Sequence, residues 1–224
     1  MSEGTDGTSM VPPAKVAAER EWAPDDPTLE ACRAGQPEAI ERLFRAYSPV
    51  VQGVIGRLVG PTPDFEDLVQ TTFLEALRNI SRFRGEAKLS TWLCQIAVHV
   101  ANHHLRSGKV RRHVPLELVV DGTAASAEPL DPTNVDQTID RRRLALRLHQ
   151  LLDRIAPKKR IALLLYVVEG RPIEEVAALM KATQTATRSR TFFARRELRK
   201  LIGADAQLRD LAEAFLEKPG EGLA

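Results

Sequence analysis

The chain has 224 residues, and its 32 Lys and Arg against 30 Asp and Glu give a formal net charge of +2 at neutral pH. Its 43% hydrophobic residues suffice for packed cores, and no run approaches the roughly 18 uncharged apolar residues of a membrane span. The N-terminus has no export signal pattern, and two distant cysteines form neither a disulfide framework nor a metal-binding knuckle, so we expect a cytoplasmic protein.

The first half of the chain predicts a disordered tail followed by a helical bundle. Residues 1–27 are rich in Gly, Ser, Thr, Pro and Asp and show no hydrophobic period, which is typical of disorder. Apolar residues then recur at helical spacing, beginning with the stripe from Ile40 to Leu58. The next segment, "GPTPDFEDLVQTTFLEALRNI", has Pro63 near its start and acids in its first turn, where they suit the helix dipole. We assign the bundle to residues 28–113.

The stretch "STWLCQIAVHVANHHLR" leaves a choice between a metal site, a buried helix and a surface for a negatively charged partner. His99 and His103 stand four apart, so a helix places them on one face, as zinc ligands often are. A metalloprotease would need "HExxH", but Val100 replaces the glutamate and no third ligand follows at motif spacing. We therefore predict no metal, and a helix with a basic end. Its expected buried stripe is Trp92, Leu93, Ile96, Ala97 and Val100.

Two segments are strongly biased toward positive charge. Residues 87–116 contain five Lys or Arg, four His and no acid, and residues 181–200 contain seven Lys or Arg against one Glu. A solvated helix face usually mixes both signs, whereas clustered positive charge beside aromatic residues is typical of nucleic-acid binding. Between them, residues 114–140 hold six acids, three prolines and no Lys or Arg. We interpret this segment as a flexible acidic linker between two small helical domains, in an all-α fold.

The second domain, residues 141–203, ends in a helix-turn-helix pattern. "RPIEEVAALM" predicts a short amphipathic helix, and "KATQ" predicts a turn. The following helix is expected to bury one stripe and to present its opposite face to the major groove. The predicted stripe is Thr187, Thr191, Ala194, Leu198 and Leu201. Residues 204–224 form a short extension with one amphipathic helical pattern.

Two blocks of sequence resemble the bacterial RNA polymerase sigma factors, specifically the compact extracytoplasmic-function group. "DFEDLVQTTFLEALRNISRFRG" is similar to that family's polymerase-binding helix and the loop after it, which captures a base flipped out of the non-template strand. "LSTWLCQIAVHVANHHLR" resembles its helix for the −10 promoter element, and "EEVAALMKATQTATRSRTFFARRELRKLI" its −35-reading motif. The resemblance covers residues 29–106 and 141–202.

The resemblance implies a promoter-directing protein that is not an enzyme and needs no cofactor or metal. Its implied partners are core RNA polymerase, promoter DNA (a duplex −35 element and a single-stranded −10 element) and, as a candidate regulator, an anti-sigma factor. No membrane insertion is expected, and the acidic linker would lie in the RNA exit path and mimic RNA.

Three sets of site residues follow from the resemblance and from the charge pattern. The set expected to bind core polymerase is Asp64, Asp67, Leu68, Gln70 and Phe73. The set expected to bind the −10 region is Arg82, Phe83, Arg84, Lys88, His99, His103, Arg106, Arg111 and Arg112. The set expected to bind the −35 region is Thr185, Arg188, Ser189, Phe192, Phe193, Arg195, Arg196 and Lys200.

Departures from the family pattern leave the promoter sequence open. His99 and His103 stand where the family usually has Asn and Asp, Phe193 replaces an arginine, and Lys181 replaces the glycine of the turn. A side chain with a Cβ adopts that left-handed turn only at a cost. One alternative is a stand-alone helix-turn-helix regulator, which would explain residues 172–202 but not the first domain. Another is a metal hydrolase, which lacks accompanying carboxylates or a catalytic triad.

Overall fold

A computed structural model describes residues 21–107 and 135–205, together with Leu208. In this part of the chain every regular element is a helix, which confirms the predicted all-α fold. None of the described helices is both long and apolar enough to cross a membrane. The helices are α1 (Pro27–Arg33), α2 (Pro37–Val59), α3 (Phe65–Asn79), α4 (Leu89–Arg106), α5 (Val135–Leu152), α6 (Pro157–Leu163), α7 (Ile173–Leu179) and α8 (Gln184–Gly203).

Helices α1 to α4 form the first domain, and α4 is its central element. Asp26 caps α1 by accepting a hydrogen bond from the Thr28 N–H at 2.8 Å, and Pro27 suits the first helical position. The long helix α2 packs along α4, and its C-cap is Gly60, whose φ of 78° and ψ of −168° lie in a region open essentially to glycine alone. The most deeply buried apolar side chains come from α2 and α4, and they include Leu43, Val51, Ile55, Leu58, Leu89 and Leu93.

Helix α4 is buried on more sides than the sequence predicts. Leu93, Ala97 and Val100 are buried as expected, while Trp92 and Ile96 are only half-buried against the core. The reason is that α6 and α7 of the second domain pack on α4, so a second set of its residues is also covered. This additional buried set is Cys94, Val98, Ala101 and Leu105, while His104 continues the predicted stripe.

Charged side chains accompany the contact between the two domains. The Arg57 Nε of α2 donates to Glu169 Oε1 at 3.0 Å, and Glu169 Oε2 accepts from Arg171 Nε at 2.6 Å. The Arg160 guanidinium is 1% exposed, and its Nη2 donates to the carbonyl of Val59 at 3.0 Å. Because a buried charge is costly unless it is paired and hydrogen-bonded, these bonds allow the domains to close over charged groups.

Two domain boundaries differ from those expected. Residues 21–26, which were assigned to the disordered tail, lie against the first domain through Trp22 and Glu21. Helix α5 begins at Val135, six residues inside the predicted linker. The remaining tail, the linker with its proposed RNA mimicry, and nearly all of the C-terminal extension lie outside the described residues.

Candidate functional site

The solvent-facing side of α3 carries a mixed polar and apolar surface. Asp67, Gln70 and Leu74 are exposed at steps of three and four residues, while Phe73 is 5% exposed and points into the core. Leu74 is 53% exposed, and Phe44 of α2 is 42% exposed. The ring centroid of Phe44 lies 4.8 Å from that of Phe73. We call Asp67, Gln70, Leu74 and Phe44 the α3 face. Large apolar side chains that stay in water beside polar groups are typical of a protein-binding surface.

A short loop, residues 82–88, connects α3 to α4, and we call it the basic loop. Its anchor is Phe83, which is 5% exposed and packs against Trp92 with ring centroids 5.5 Å apart. Gly85 has a φ of 75°, which allows the loop to turn sharply. The loop therefore holds its charged side chains in solvent on a fixed hydrophobic base. These exposed cations are Arg82, Arg84 and Lys88.

The C-terminal half of α4 continues this surface. His99, His103 and Arg106 are exposed, whereas His104 is buried with its Nδ1 3.8 Å from Asp64 Oδ2. Among the described residues no three His, Cys, Asp or Glu side chains are grouped so that they could hold a metal ion. Arg111 and Arg112 lie outside the described residues.

Helices α7 and α8 form the predicted helix-turn-helix. Lys181 in the turn has a φ of 47°, so this residue does take up the left-handed conformation that glycine adopts more easily. Thr183 caps α8 by accepting a hydrogen bond from the Ala186 N–H at 3.2 Å. Four members of the predicted stripe are buried, namely Thr187, Thr191, Ala194 and Leu198, and Ile202 is the fifth buried position. The predicted fifth member, Leu201, is only half-buried.

The outward side of α8 combines aromatic rings with positive charge. Phe192 and Phe193 are 50% and 48% exposed, and their ring centroids are 5.5 Å apart in an edge-to-face arrangement. The Arg195 guanidinium lies 5.3 Å from the centre of the Tyr166 ring, so a cation–π contact holds it at the side of this surface. The other predicted members on this helix are all exposed. They are Thr185, Arg188, Ser189, Arg196 and Lys200.

Cys94, which stands next to the predicted buried stripe of α4, is a core residue. Its side chain is 2% exposed, and burial raises the pKa of its thiol to about 11, although the Arg171 guanidinium opposes the rise. The Arg171 Nη2 lies 3.9 Å from the Cys94 Sγ. Because the thiolate is the reactive form, this cysteine is chemically inert while the two domains are packed together.

Comparisons with known proteins show to which family the chain belongs. The family model for Sigma-70 region 2 matches residues 43–111, and that for Sigma-70 region 4 matches residues 145–198. RNA polymerase sigma factor CarQ of Myxococcus xanthus is 33% identical over 175 residues, which cover 78% of this chain and 95% of that protein. This chain is a sigma-70 family sigma factor of the extracytoplasmic-function group.

Further relatives agree with this assignment. The ECF RNA polymerase sigma-E factor of Escherichia coli K12 is 28% identical over 176 residues, covering 76% of this chain and 90% of that protein. Among solved structures, CnrH in complex with the cytosolic domain of CnrY has the same fold, with a TM-score of 0.53, 19% identity, and coverage of 80% of this chain and 97% of that one.

The sigma factor binds core RNA polymerase and directs it to promoters, as the resemblance implies. The region 2 match contains the α3 face, the basic loop and α4, and the region 4 match contains α7 and most of α8. A stand-alone helix-turn-helix regulator would explain only the second match. The first domain is therefore the feature that decides between the two alternatives.

The structure of the sigma factor divides the predicted polymerase-binding residues between surface and core. Asp67 and Gln70 are on the α3 face, while Leu68 and Phe73 are buried and Asp64 turns toward His104. The sequence analysis missed two exposed residues on this surface. Leu74 continues the three-and-four spacing from residues 67 and 70, so a helical projection finds it. Phe44 lies on another helix, and only the tertiary contact shows that it belongs here.

Proposed function

We propose that this sigma factor reads the upstream promoter element with the outward side of α8, stabilises the melted strand with the basic loop and α4, and holds core polymerase with the α3 face. The observation that carries the proposal is the outward side of α8, where exposed aromatic rings and arginines stand opposite a fully buried stripe. Such a helix fits the major groove of B-DNA, where base edges can be distinguished.

On α8 the proposed contacts change along the helix. Arg188 lies in the first two turns, where base edges are usually reached, and arginine can donate two hydrogen bonds to guanine. Phe192, one turn further, can contact a thymine methyl group. Lys200 lies where a straight helix leaves the groove, so we assign it to the phosphate backbone. Arg195, held against Tyr166, and Arg196 would contact phosphates in the same way.

In the first domain, the basic loop and α4 would act on the opened strand. The exposed cations Arg82, Arg84 and Lys88 can neutralise phosphates of a flipped-out segment, while the buried Phe83 holds the loop in place. His99 is exposed on α4 and would border the captured base, and the positions expected to follow the backbone are His103, Arg106, Arg111 and Arg112. Unstacking a base costs a few kcal/mol, so a protein that binds the extruded base favours opening.

The α3 face would bind the polymerase. Asp67 and Gln70 supply polar contacts, and Leu74 and Phe44 supply apolar area that is still exposed in the free protein. Leu68 and Phe73 would support this surface from beneath rather than contact the partner.

Two finer points follow from the assignment. The sigma factor RpoE of Bartonella quintana, whose fold is similar, has been solved in complex with the anti-sigma factor NepR, and by extension we expect an anti-sigma factor as a regulator of this chain. We also expect the protein to act in the cytoplasm, where the polymerase works, as an initiation factor without catalysis of its own.

Transcription on two templates separates the three proposed roles. Leu74→Arg should abolish run-off transcription on duplex and on pre-melted bubble templates, because polymerase is not bound. His99→Ala should lose activity on the duplex and regain it on the bubble, because opening is already done. Arg188→Ala should lose activity only where the upstream element is required. If the bubble does not rescue His99→Ala, the proposed role of α4 in strand opening is wrong.

A further inference from the structure

The segment before α1 reaches across the first domain to the start of α4. The Glu21 carboxylate accepts two hydrogen bonds from Ser90, one from the backbone N–H at 2.9 Å and one from the hydroxyl at 2.7 Å. Lys88, at the capping position of α4, makes no side-chain cap. A helix N-terminus favours a negative charge, so Glu21 supplies the anion that α4 otherwise lacks.

The same segment lies directly on the basic loop. A Cβ added to Gly85 would be 1.8 Å from the Pro24 Cγ, so the loop backbone and the proline ring are in close contact and no other residue type fits between them. The charges on the two segments are opposite. Residues 21–26 carry the acids Glu21, Asp25 and Asp26, and the loop carries the bases Arg82, Arg84 and Lys88 against one acid, Glu86.

Few contacts hold this segment in place. Glu21, Pro24 and their neighbours Ala23 and Asp25 are exposed. Trp22 is partly buried: its backbone N–H donates to the Tyr47 hydroxyl at 2.9 Å, and its ring meets the Tyr47 ring edge-on at 5.5 Å. Since Asp26 caps α1, the preceding residues can leave the surface without uncapping that helix.

We propose that residues 21–24 are a removable cover on the basic loop, and that the melted DNA strand must displace this cover to bind. The proposal rests on the role given above to the loop and α4. A phosphodiester group suits the position that the Glu21 carboxylate occupies, because both are anions that accept hydrogen bonds from the first turn of a helix. The acidic segment thus keeps nucleic acid off the loop until a strand of matching sequence competes for it.

A reversible cross-link tests the cover in the full-length protein. In the Pro24→Cys, Gly85→Cys variant, a disulfide would hold the segment on the loop, and the two native cysteines are buried. We would form holoenzyme with core polymerase and follow strand opening by 2-aminopurine fluorescence on a duplex promoter selected with the wild-type holoenzyme. The oxidised form should open the promoter at least tenfold more slowly than the same protein after reduction, while both forms bind core polymerase equally.

Comparing the oxidised and reduced forms of one protein removes any effect of strain at Gly85. Equal opening rates before and after reduction would overturn the cover. A pre-melted bubble should restore activity to the oxidised form, as it does for His99→Ala, because opening is already done. Failure of the bubble to restore the oxidised form would contradict the proposal in the same way.

A loosened cover provides the opposite perturbation. Glu21→Ala combined with Trp22→Ala should accelerate opening at least threefold, and Glu38→Ala is the matched control because it removes an exposed acid from the first turn of α2. If Glu21 were only a structural cap, the double variant would lose stability and open the promoter no faster, which would refute the cover. If the wild-type protein directed no transcription at all, the proposed function would fail and the cover with it. If the wild type directed transcription, but neither the cross-link nor the Glu21, Trp22 double variant changed the opening rate, the proposed cover would be refuted and the proposed function would stand.

Discussion

Replacing Leu74 with Ala is expected to weaken binding to core polymerase while leaving the fold intact. Leu74 is 53% exposed in the free sigma factor, so an interface can remove about half of its side chain from water. Full burial of a leucine side chain contributes about 1.5–3 kcal/mol, and half of this is roughly 0.8–1.5 kcal/mol. Because 1.4 kcal/mol corresponds to about a tenfold change in Kd, we expect binding to weaken by about 4- to 12-fold.

Phe192→Ala is the matched control for this prediction. Phe192 is 50% exposed and apolar, like Leu74, but it lies on the outward side of α8 in the other domain. Its loss should reduce recognition of the upstream element and leave the affinity for core polymerase unchanged. Leu74→Ala should therefore weaken polymerase binding, and Phe192→Ala should weaken only recognition of the upstream element.

Competition against labelled wild-type protein for core polymerase measures the affinities, and urea unfolding checks that both variants are folded. Truncating a half-exposed side chain should lower the free energy of unfolding by less than about 1 kcal/mol. Wild-type affinity of a folded Leu74→Ala protein would refute the assignment of the α3 face. So would a loss of polymerase binding by Phe192→Ala alone.

Three further predictions concern domain packing, DNA recognition and alkaline pH. In urea unfolding, Gly60→Ala should destabilise the protein by at least about 1 kcal/mol more than Gly35→Ala. Both glycines have positive φ, but of the two only Gly60 would place its Cβ against another side chain, 2.2 Å from a histidine ring of α5. Equal losses would argue against the packing of α5 on α2. Arg188→Ala should reduce the base preference at one or two upstream promoter positions by about 1–3 kcal/mol, whereas Lys200→Ala should weaken binding to all sequences alike and lower the salt dependence of log affinity by about one unit. A randomised promoter library at two salt concentrations measures both effects. The reverse pattern would overturn the docking of α8. Burial raises the pKa of Tyr47 from 10.0 to about 12, so the folded protein keeps a proton that the unfolded chain loses, and stability should fall as pH rises from 10 to 12. Tyr47→Phe should remove that fall in urea titrations, and an unchanged fall would assign it to other groups.

The helices were predictable because each one has to bury a face. The stripe on α8 at Thr187, Thr191, Ala194 and Leu198 was correct, since a helix on a small domain covers one side and its period fixes which side. The same reasoning was incomplete on α4, where Val98 and Ala101 are buried as well. That side of α4 is buried by helices of the other domain, and the helical period of one segment contains no information about such a contact.

The surfaces were predictable where the sequence is periodic or charged. The exposed cations of α8 follow from the charge pattern and those of the basic loop from the family resemblance, whereas Phe44 joins the α3 face only through tertiary structure. Residues 21–26 were assigned to a disordered tail because residues 1–27 are rich in Gly, Ser, Thr, Pro and Asp and show no hydrophobic period. Their position depends instead on single contacts of Glu21 and Trp22 with distant residues, which composition cannot reveal.

Transcription from randomised promoter DNA tests the central claim most directly. Core polymerase would be incubated with the library in the presence and absence of this sigma factor, and the transcripts and their start sites sequenced. We predict that the protein creates new start sites preceded by two sequence elements, and that Arg188→Ala broadens the upstream one while the downstream one is retained. A protein that adds no start sites to core polymerase, yet binds duplex DNA tightly by itself, would contradict the account.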